Sequence, residues 1–266
     1  MLNDILPLLA IGAVAGVFAG LLGVGGGVLL VPALVMLFER ATLSPSFNFQ
    51  LALGTSMATI LFTSVSSFGA HHRHGAVLWP VVRQLTPGIL VGTGLGTLLA
   101  RYLSVHALAV FFTIFIVFVA AQMSLDFRPS AGRSLPGRAG MLLAAAGIGV
   151  VSALAAIGGG AMTVPFLVWC GVPVRAAIGT SAAVGFPIAL GGTLGYVING
   201  SGVGGLPPWS LGFVYLPALA AVLATGIVAA AVGARVAHRL PVPVLKRVFA
   251  GLLIVLAVKM LVQLFA

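Results

Sequence analysis

The stretch Gly16-Val-Phe-Ala-Gly-Leu-Leu-Gly-Val-Gly-Gly-Gly27, closed by Val31-Pro32, decides how this chain is read. It recurs as Gly149-Val-Val-Ser-Ala-Leu-Ala-Ala-Ile-Gly-Gly-Gly160, closed by Val164-Pro165, at an offset of 133 residues from Gly16 to Gly149. Further on, Leu53-Gly54-Thr55-Ser56 matches Ile178-Gly179-Thr180-Ser181 at an offset of 125. The first copy therefore carries eight more residues between the two motifs. A glycine triplet with a trailing Val-Pro, followed by a Gly-Thr-Ser, marks an internal duplication. The first repeat covers 1–125 and the second 139–266. A linker, 126–138, rich in Arg, Pro, Gly and Ser, joins them.

The surroundings of these motifs are apolar. Hydrophobic residues make up 61% of the chain and charged residues 6%. A soluble domain carries roughly 25% charged residues, so a water-soluble enzyme is excluded. The net charge of +10 comes from 13 Lys+Arg against 3 Asp+Glu. They are scattered singly and form no basic stripe, which argues against a nucleic-acid partner. One cysteine, Cys170, leaves no internal disulfide and no CxxC metal site. The N-terminus, with Asp4 and a long apolar run, does not read as a signal peptide.

Eight long hydrophobic runs follow one another: 5–38, 50–70, 78–100, 106–125, 139–171, 174–198, 209–237 and 244–265. They are too long for barrel strands and lack strict alternation, so the expected fold is an all-α integral membrane protein. Charge sorting fixes the expected topology. With eight simple crossings the 13 basic residues split seven to six. If each first run folds back at its glycine triplet, each half has about five segments and the halves are inverted. Arg73, Arg83, Arg128, Arg133, Arg138, Arg175, Arg235, Arg239, Lys246 and Arg247 then share one face, against Arg40, Arg101 and Lys259. That asymmetry is the one membrane insertion favours, and it places the linker in the cytoplasm. The segments after the triplets, about 28–38 and 161–171, are expected as half-helices of roughly 17 Å.

The candidate site is the two triplets, Gly25, Gly26, Gly27 and Gly158, Gly159, Gly160, with Gly54, Thr55, Ser56 and Gly179, Thr180, Ser181. Consecutive glycines weaken a helix and free backbone groups. A half-helix starting after them offers N–H donors and the positive end of its dipole to an anion. The hydroxyls beside Gly54 and Gly179 suit the oxygens of an oxyanion. The plainer alternatives are close helix packing at the glycines and hydroxyls bonded to their own helix. His71-His72-Arg73-His74 reads as an interfacial basic loop, with His71 aligned to Tyr196, and no metal site is expected. The three acids, Asp4, Glu39 and Asp126, all sit at run ends, unlike the intramembrane carboxylates of ion pumps. No nucleophile–base pair or carboxylate dyad supports an enzyme, and no cofactor is expected.

These motifs resemble the sulfite exporter TauE/SafE family: Gly20-Leu-Leu-Gly-Val-Gly-Gly-Gly27 with Val31-Pro32, Ala156-Ile-Gly-Gly-Gly160 with Val164-Pro165, and the paired Gly-Thr-Ser. The resemblance runs from about Leu6 to Leu264. It implies a multi-pass permease of the bacterial inner membrane for a sulfur-containing anion, such as sulfite or a C2 organosulfonate, with export the expected direction. The second copy departs in having Ala153 and Ala156 where the first has Gly20 and Gly23. The partners implied are a small anion and the lipid bilayer, with a homo-oligomer left open. The alternatives are a transporter or channel for another small anion and a non-transporting membrane assembly subunit.

Overall fold

The computed structural model describes residues 2–22, 26–41, 43–73, 75–124, 134–237 and 242–265. These form ten helices and one small hairpin. The first half carries α1 (Leu2–Leu22), α2 (Gly27–Arg40), α3 (Asn48–Arg73), α4 (Trp79–Tyr102) and α5 (Val105–Ser124). The second carries α6 (Arg138–Ala155), α7 (Gly160–Trp169), α8 (Val174–Gly200), α9 (Leu216–Ala237) and α10 (Val242–Phe265). Between α8 and α9 lies an antiparallel hairpin, β1 (Ser210–Leu211) with β2 (Val214–Tyr215). The seventh run, expected from 209 onward, thus begins as a hairpin, and its helix starts at Leu216. Gly212 sits at φ +56°, a left-handed turn that ends any helix there.

Four helices among the described residues are long and apolar enough to cross a membrane: Asn48–Arg73, Val105–Gln122, Arg138–Ala155 and Val174–Gly200. Their exposed faces carry large apolar side chains such as Ile114, Phe118, Leu143 and Ile198. Such a surface suits hydrocarbon and not water.

The halves exchange partners. α1 packs along α9 and α4 packs along α6. The contacts run through small residues. On α4, Gly88 faces Leu142, Gly92 faces Ala146 and Gly96 faces Val150, so position numbers rise together and α4 and α6 are parallel. On α1, Gly12 faces Val222 and Gly16 faces Gly226, so α1 and α9 are parallel too. Without a hydrophobic drive between helices in lipid, such close backbone approach supplies the dispersion contacts that hold them. α3 and α8 form the centre of the bundle. Gly54 faces Tyr196 while Met57 faces Gly192, so this pair is antiparallel.

Cation positions follow from these directions. α3 ends where α8 begins, with Ala76 on Gly179, and α4 and α6 start at the same end. Arg73, Arg83, Arg138 and Arg175 therefore share one face. On the other face, α2 ends at Arg40, and Ser44 just beyond it donates to the Gly205 carbonyl after α8 (3.0 Å). α4 ends there at Arg101, and Arg40 lines one surface cleft with Lys259. The remaining six basic residues lie outside those whose side chains are described.

The α4–α6 contact yields a direct test. A methyl group at Gly92 would overlap the Ala146 carbonyl oxygen, whereas one at Gly94 meets nothing within 4 Å. Gly92→Ala should destabilise by about 1–3 kcal/mol through overpacking. Thermal unfolding in detergent should show a lowered Tm for Gly92→Ala and none for Gly94→Ala.

Candidate functional site

Among the described residues each half shows one interruption, and both lie at half depth. In the first, Gly26 takes φ +68° and caps α2, with the N–H groups of Leu29 and Leu30 on its carbonyl (3.1 Å each). In the second, Ala156 ends α6 at φ +45°, and the Ile157 N–H returns to the Ser152 carbonyl (3.0 Å). α7 then starts with the Thr163 N–H on the Gly159 carbonyl (2.9 Å). Neither α2 nor α7 has a side-chain cap. The donors ahead of Leu29 in α2 and ahead of Thr163 in α7 are thus left to the surroundings.

The two interruptions touch. A methyl group on Gly27 would overlap the Ala156 carbonyl oxygen and lie 2.7 Å from Ile60 Cδ1. One on Gly159 would overlap the Ser181 carbonyl and lie 3.2 Å from the Gly185 nitrogen. Ile60 is the thirteenth of 26 residues in α3, and Gly185 the twelfth of 27 in α8. From that level α2 runs to the face of Arg40 and α7 to the face of Arg175. The amino-terminal ends of two short helices therefore approach one another from opposite directions, each presenting the positive end of its dipole.

Buried hydroxyls mark the same place. Ser56 Oγ, Ser152 Oγ and Thr163 Oγ1 lie in residues at most 1% exposed and have no hydrogen-bond partner. Ser56 is one turn before Ile60, Ser152 one turn before Ala156, and Thr163 in the first turn of α7. A buried hydroxyl without a partner costs about 1–3 kcal/mol, so three near one junction point to a polar occupant. Beside it, a cavity of about 10 Å³ touches Gly16, Gly26, Thr59 and Thr63. That holds about one water and is too small for an oxyanion.

The residues expected from sequence fall into three groups. Gly26, Gly27, Gly158, Gly159 and Gly160 stand at the two interruptions, and Gly159 is brought against Ser181. Gly25 lies outside the described residues. Gly54 and Thr55 stand near the end of α8, and Gly179 and Thr180 near the end of α3, while Ser56 and Ser181 follow them toward the junction. From Gly179 to Tyr196, the residue facing Gly54, is 17 residues, or roughly 25 Å along the axis. Thr55 Oγ1 accepts the Tyr215 N–H and Thr180 Oγ1 accepts the Leu78 N–H, both at 3.0 Å. The structure thus separates the threonines, and it turns both hydroxyl oxygens toward loops.

Sequence reading missed Ser152 and Thr163, although each is a lone hydroxyl flanking the second triplet. It also missed Gly88, Gly92 and Gly96, whose four-residue spacing is a visible packing signal. Tyr196, aligned to His71, donates its buried hydroxyl to the Ala153 carbonyl (3.0 Å). His72 Nδ1 accepts from Trp79 Nε1 (3.2 Å) at the basic face. No cluster of metal ligands occurs among the described residues.

Comparison with known proteins gives the family. The family model described as sulfite exporter TauE/SafE matches residues 8–260. A "probable membrane transporter protein" of Haemophilus influenzae is 36% identical over 265 residues, covering 99% of this chain and all of that protein. The Bacillus subtilis "probable membrane transporter protein YunE" is 27% identical, over 73% of this chain and 78% of its own. A similarly named protein of Methanocaldococcus jannaschii is 27% identical, over 84% of this chain and 83% of its own. No solved structure gives a significant match. With its membrane-length helices and paired glycine interruptions, the chain is a multi-pass membrane protein that belongs to the sulfite exporter TauE/SafE family.

Proposed function

We propose that the chain exports a small sulfur-containing oxyanion, sulfite or a C2 organosulfonate, across the bacterial inner membrane. The observation that carries this reading is the meeting of the α2 and α7 amino-terminal ends at half depth, with no side-chain cap on either. Backbone donors and helix dipoles there attract negative charge without a buried arginine. The unpartnered hydroxyls of Ser56, Ser152 and Thr163 supply further donors. Gly26, Gly27 and Gly158–Gly160 keep the backbone accessible, and Ser181 joins them through Gly159. The anion's own charge in the membrane potential, about 2.3 kcal/mol per charge per 100 mV, favours exit from a cell negative inside.

The reading includes two inverted repeats, 1–125 and 139–266, joined by a cytoplasmic linker at 126–138. Its support is the antiparallel course of α3 and α8, the opposite headings of α2 and α7, and the exchange of α1 and α6 between halves. Alternating access then follows from moving one half's elements against the other's about the shared junction.

Three outcomes are expected. Purified protein in liposomes should move labelled sulfite or a C2 sulfonate. Gly159→Leu should abolish that flux in folded, inserted protein, and flux that survives would sink the junction as the site. Ser152→Ala with Thr163→Val should raise the apparent Kd for the anion tenfold or more, since a hydrogen bond to a charged group is worth about 1.5–3 kcal/mol. Thr193→Val, whose hydroxyl is also unpartnered but lies two turns beyond Gly185, should leave it unchanged. In a Cys170→Ala background, single cysteines at Ser134 and Gly202 should label from opposite sides of the membrane. Labelling from the same side would refute the inverted arrangement.

A further inference from the structure

Within the Gly-Thr-Ser motifs, the glycines and threonines make contacts of their own, apart from the serines near the junction. Tyr215, whose N–H rests on Thr55, is the last residue before α9. Leu78, whose N–H rests on Thr180, is the last before α4. Each motif therefore holds the entry to the fourth helix of the other half. Two residues earlier, Phe213 and Ala76 repeat a second contact: their carbonyls lie on Gly54 and Gly179, so closely that a methyl group on either glycine would overlap them. A third contact is also shared. The Phe213 N–H returns to the Tyr196 carbonyl and the Ala76 N–H to the His71 carbonyl, both at 3.1 Å.

The loops that make these contacts differ greatly. Ala76 follows His71 by five residues and Phe213 follows Tyr196 by 17, the extra twelve including β1. Yet both loops return to the same three contacts. Thr55 and Thr180 are fully buried, and their two contacts sit at opposite ends of the α3–α8 pair. α4 carries α6 with it and α9 carries α1, through the small-residue seams. At the face of each motif, one neutral hydrogen bond and one backbone contact tie the unit to α3 or α8; farther along, α4 also lies on α8 through Gly191 on Thr93 and Gly195 on Thr97, and the Asn199 amide donates to Thr97 Oγ1 (3.2 Å). The tie at each motif is weak enough to release.

We propose that the two Gly-Thr-Ser motifs are latches, one per membrane face, and that each must release in turn for the anion to enter and leave. In this structure both are engaged, consistent with a cavity beside the junction of about 10 Å³. The proposal rests on the transporter reading and gives the threonines a gating role in it.

The test uses the full chain with Cys170→Ala, reconstituted in liposomes. One variant carries Thr55→Cys with Tyr215→Cys, the other Thr180→Cys with Leu78→Cys. Each pair is closed by oxidation, or by dibromobimane where the thiols do not oxidise. Closure should cut labelled sulfite flux at least tenfold, and reduction of the disulfide should restore it. A closed pair, confirmed by loss of both free thiols, that transports at the open rate would overturn the latch, because a static staple tolerates locking. If even the unsubstituted protein moves neither sulfite nor a C2 sulfonate, the substrate reading fails and labelling decides the latch. A cysteine at Ile60 should react faster with an impermeant maleimide from the Arg175 face in Thr180→Val, and from the Arg40 face in Thr55→Val. Thr→Ser at either position should behave as the unsubstituted threonine. Equal labelling in all of them would refute the proposal.

Discussion

A helix interrupted inside a bilayer leaves backbone N–H and C=O groups that hydrocarbon cannot satisfy. The described residues show two such interruptions, and the rest of the structure follows from where those groups are put. Both interruptions come to the same depth and touch, Gly27 against the Ala156 carbonyl. Each is thereby kept from lipid by the other and by the α3–α8 pair. The contact tolerates no side chain at Gly27, and it is close enough that the junction admits only donors supplied by backbone and small hydroxyls.

That arrangement dictates how the helices are shared. A fold-back occupies its own half's third helix, α2 on α3 and α7 on α8, so the first helix of each half finds its long partner in the other half. α1 lies along α9, and α6 along α4. Small residues at four-residue spacing make both seams. The exchange ties each half to the other, and the Gly-Thr contacts stand where the exchanged units reach the central pair. Glycines thus serve two distinct ends in one chain: backbone contact between whole helices at Gly88, Gly92 and Gly96, and exposure of helix ends at Gly26 and Gly159.

The all-helical membrane class and the break at each triplet were legible because they are local patterns: apolar runs and glycines in sequence. The half-helices start at Gly27 and Gly160, beside the 28 and 161 expected. The site was legible only in part. The triplets announced themselves by repetition, but Thr163 and Ser152 carry no repeat, since Leu30 and Ala19 occupy the matching places. The hairpin at 210–215 was hidden because Val214, Tyr215 and their neighbours are as apolar as a helix.

The sequence by itself determined that this is an all-helical membrane protein in which a glycine triplet and a Gly-Thr-Ser each occur twice, with a helix broken at each triplet. Each of those is a matter of composition and spacing along the chain. Only the tertiary structure decided what the paired motifs touch. Thr55 finds Tyr215 across 160 residues and Thr180 finds Leu78 across 102. A hydroxyl in an apolar helix looks the same on paper whether it faces an anion, its own carbonyl or a distant loop. Its partner is set by which helices pack together, and that is decided by the sum of close contacts over the whole bundle.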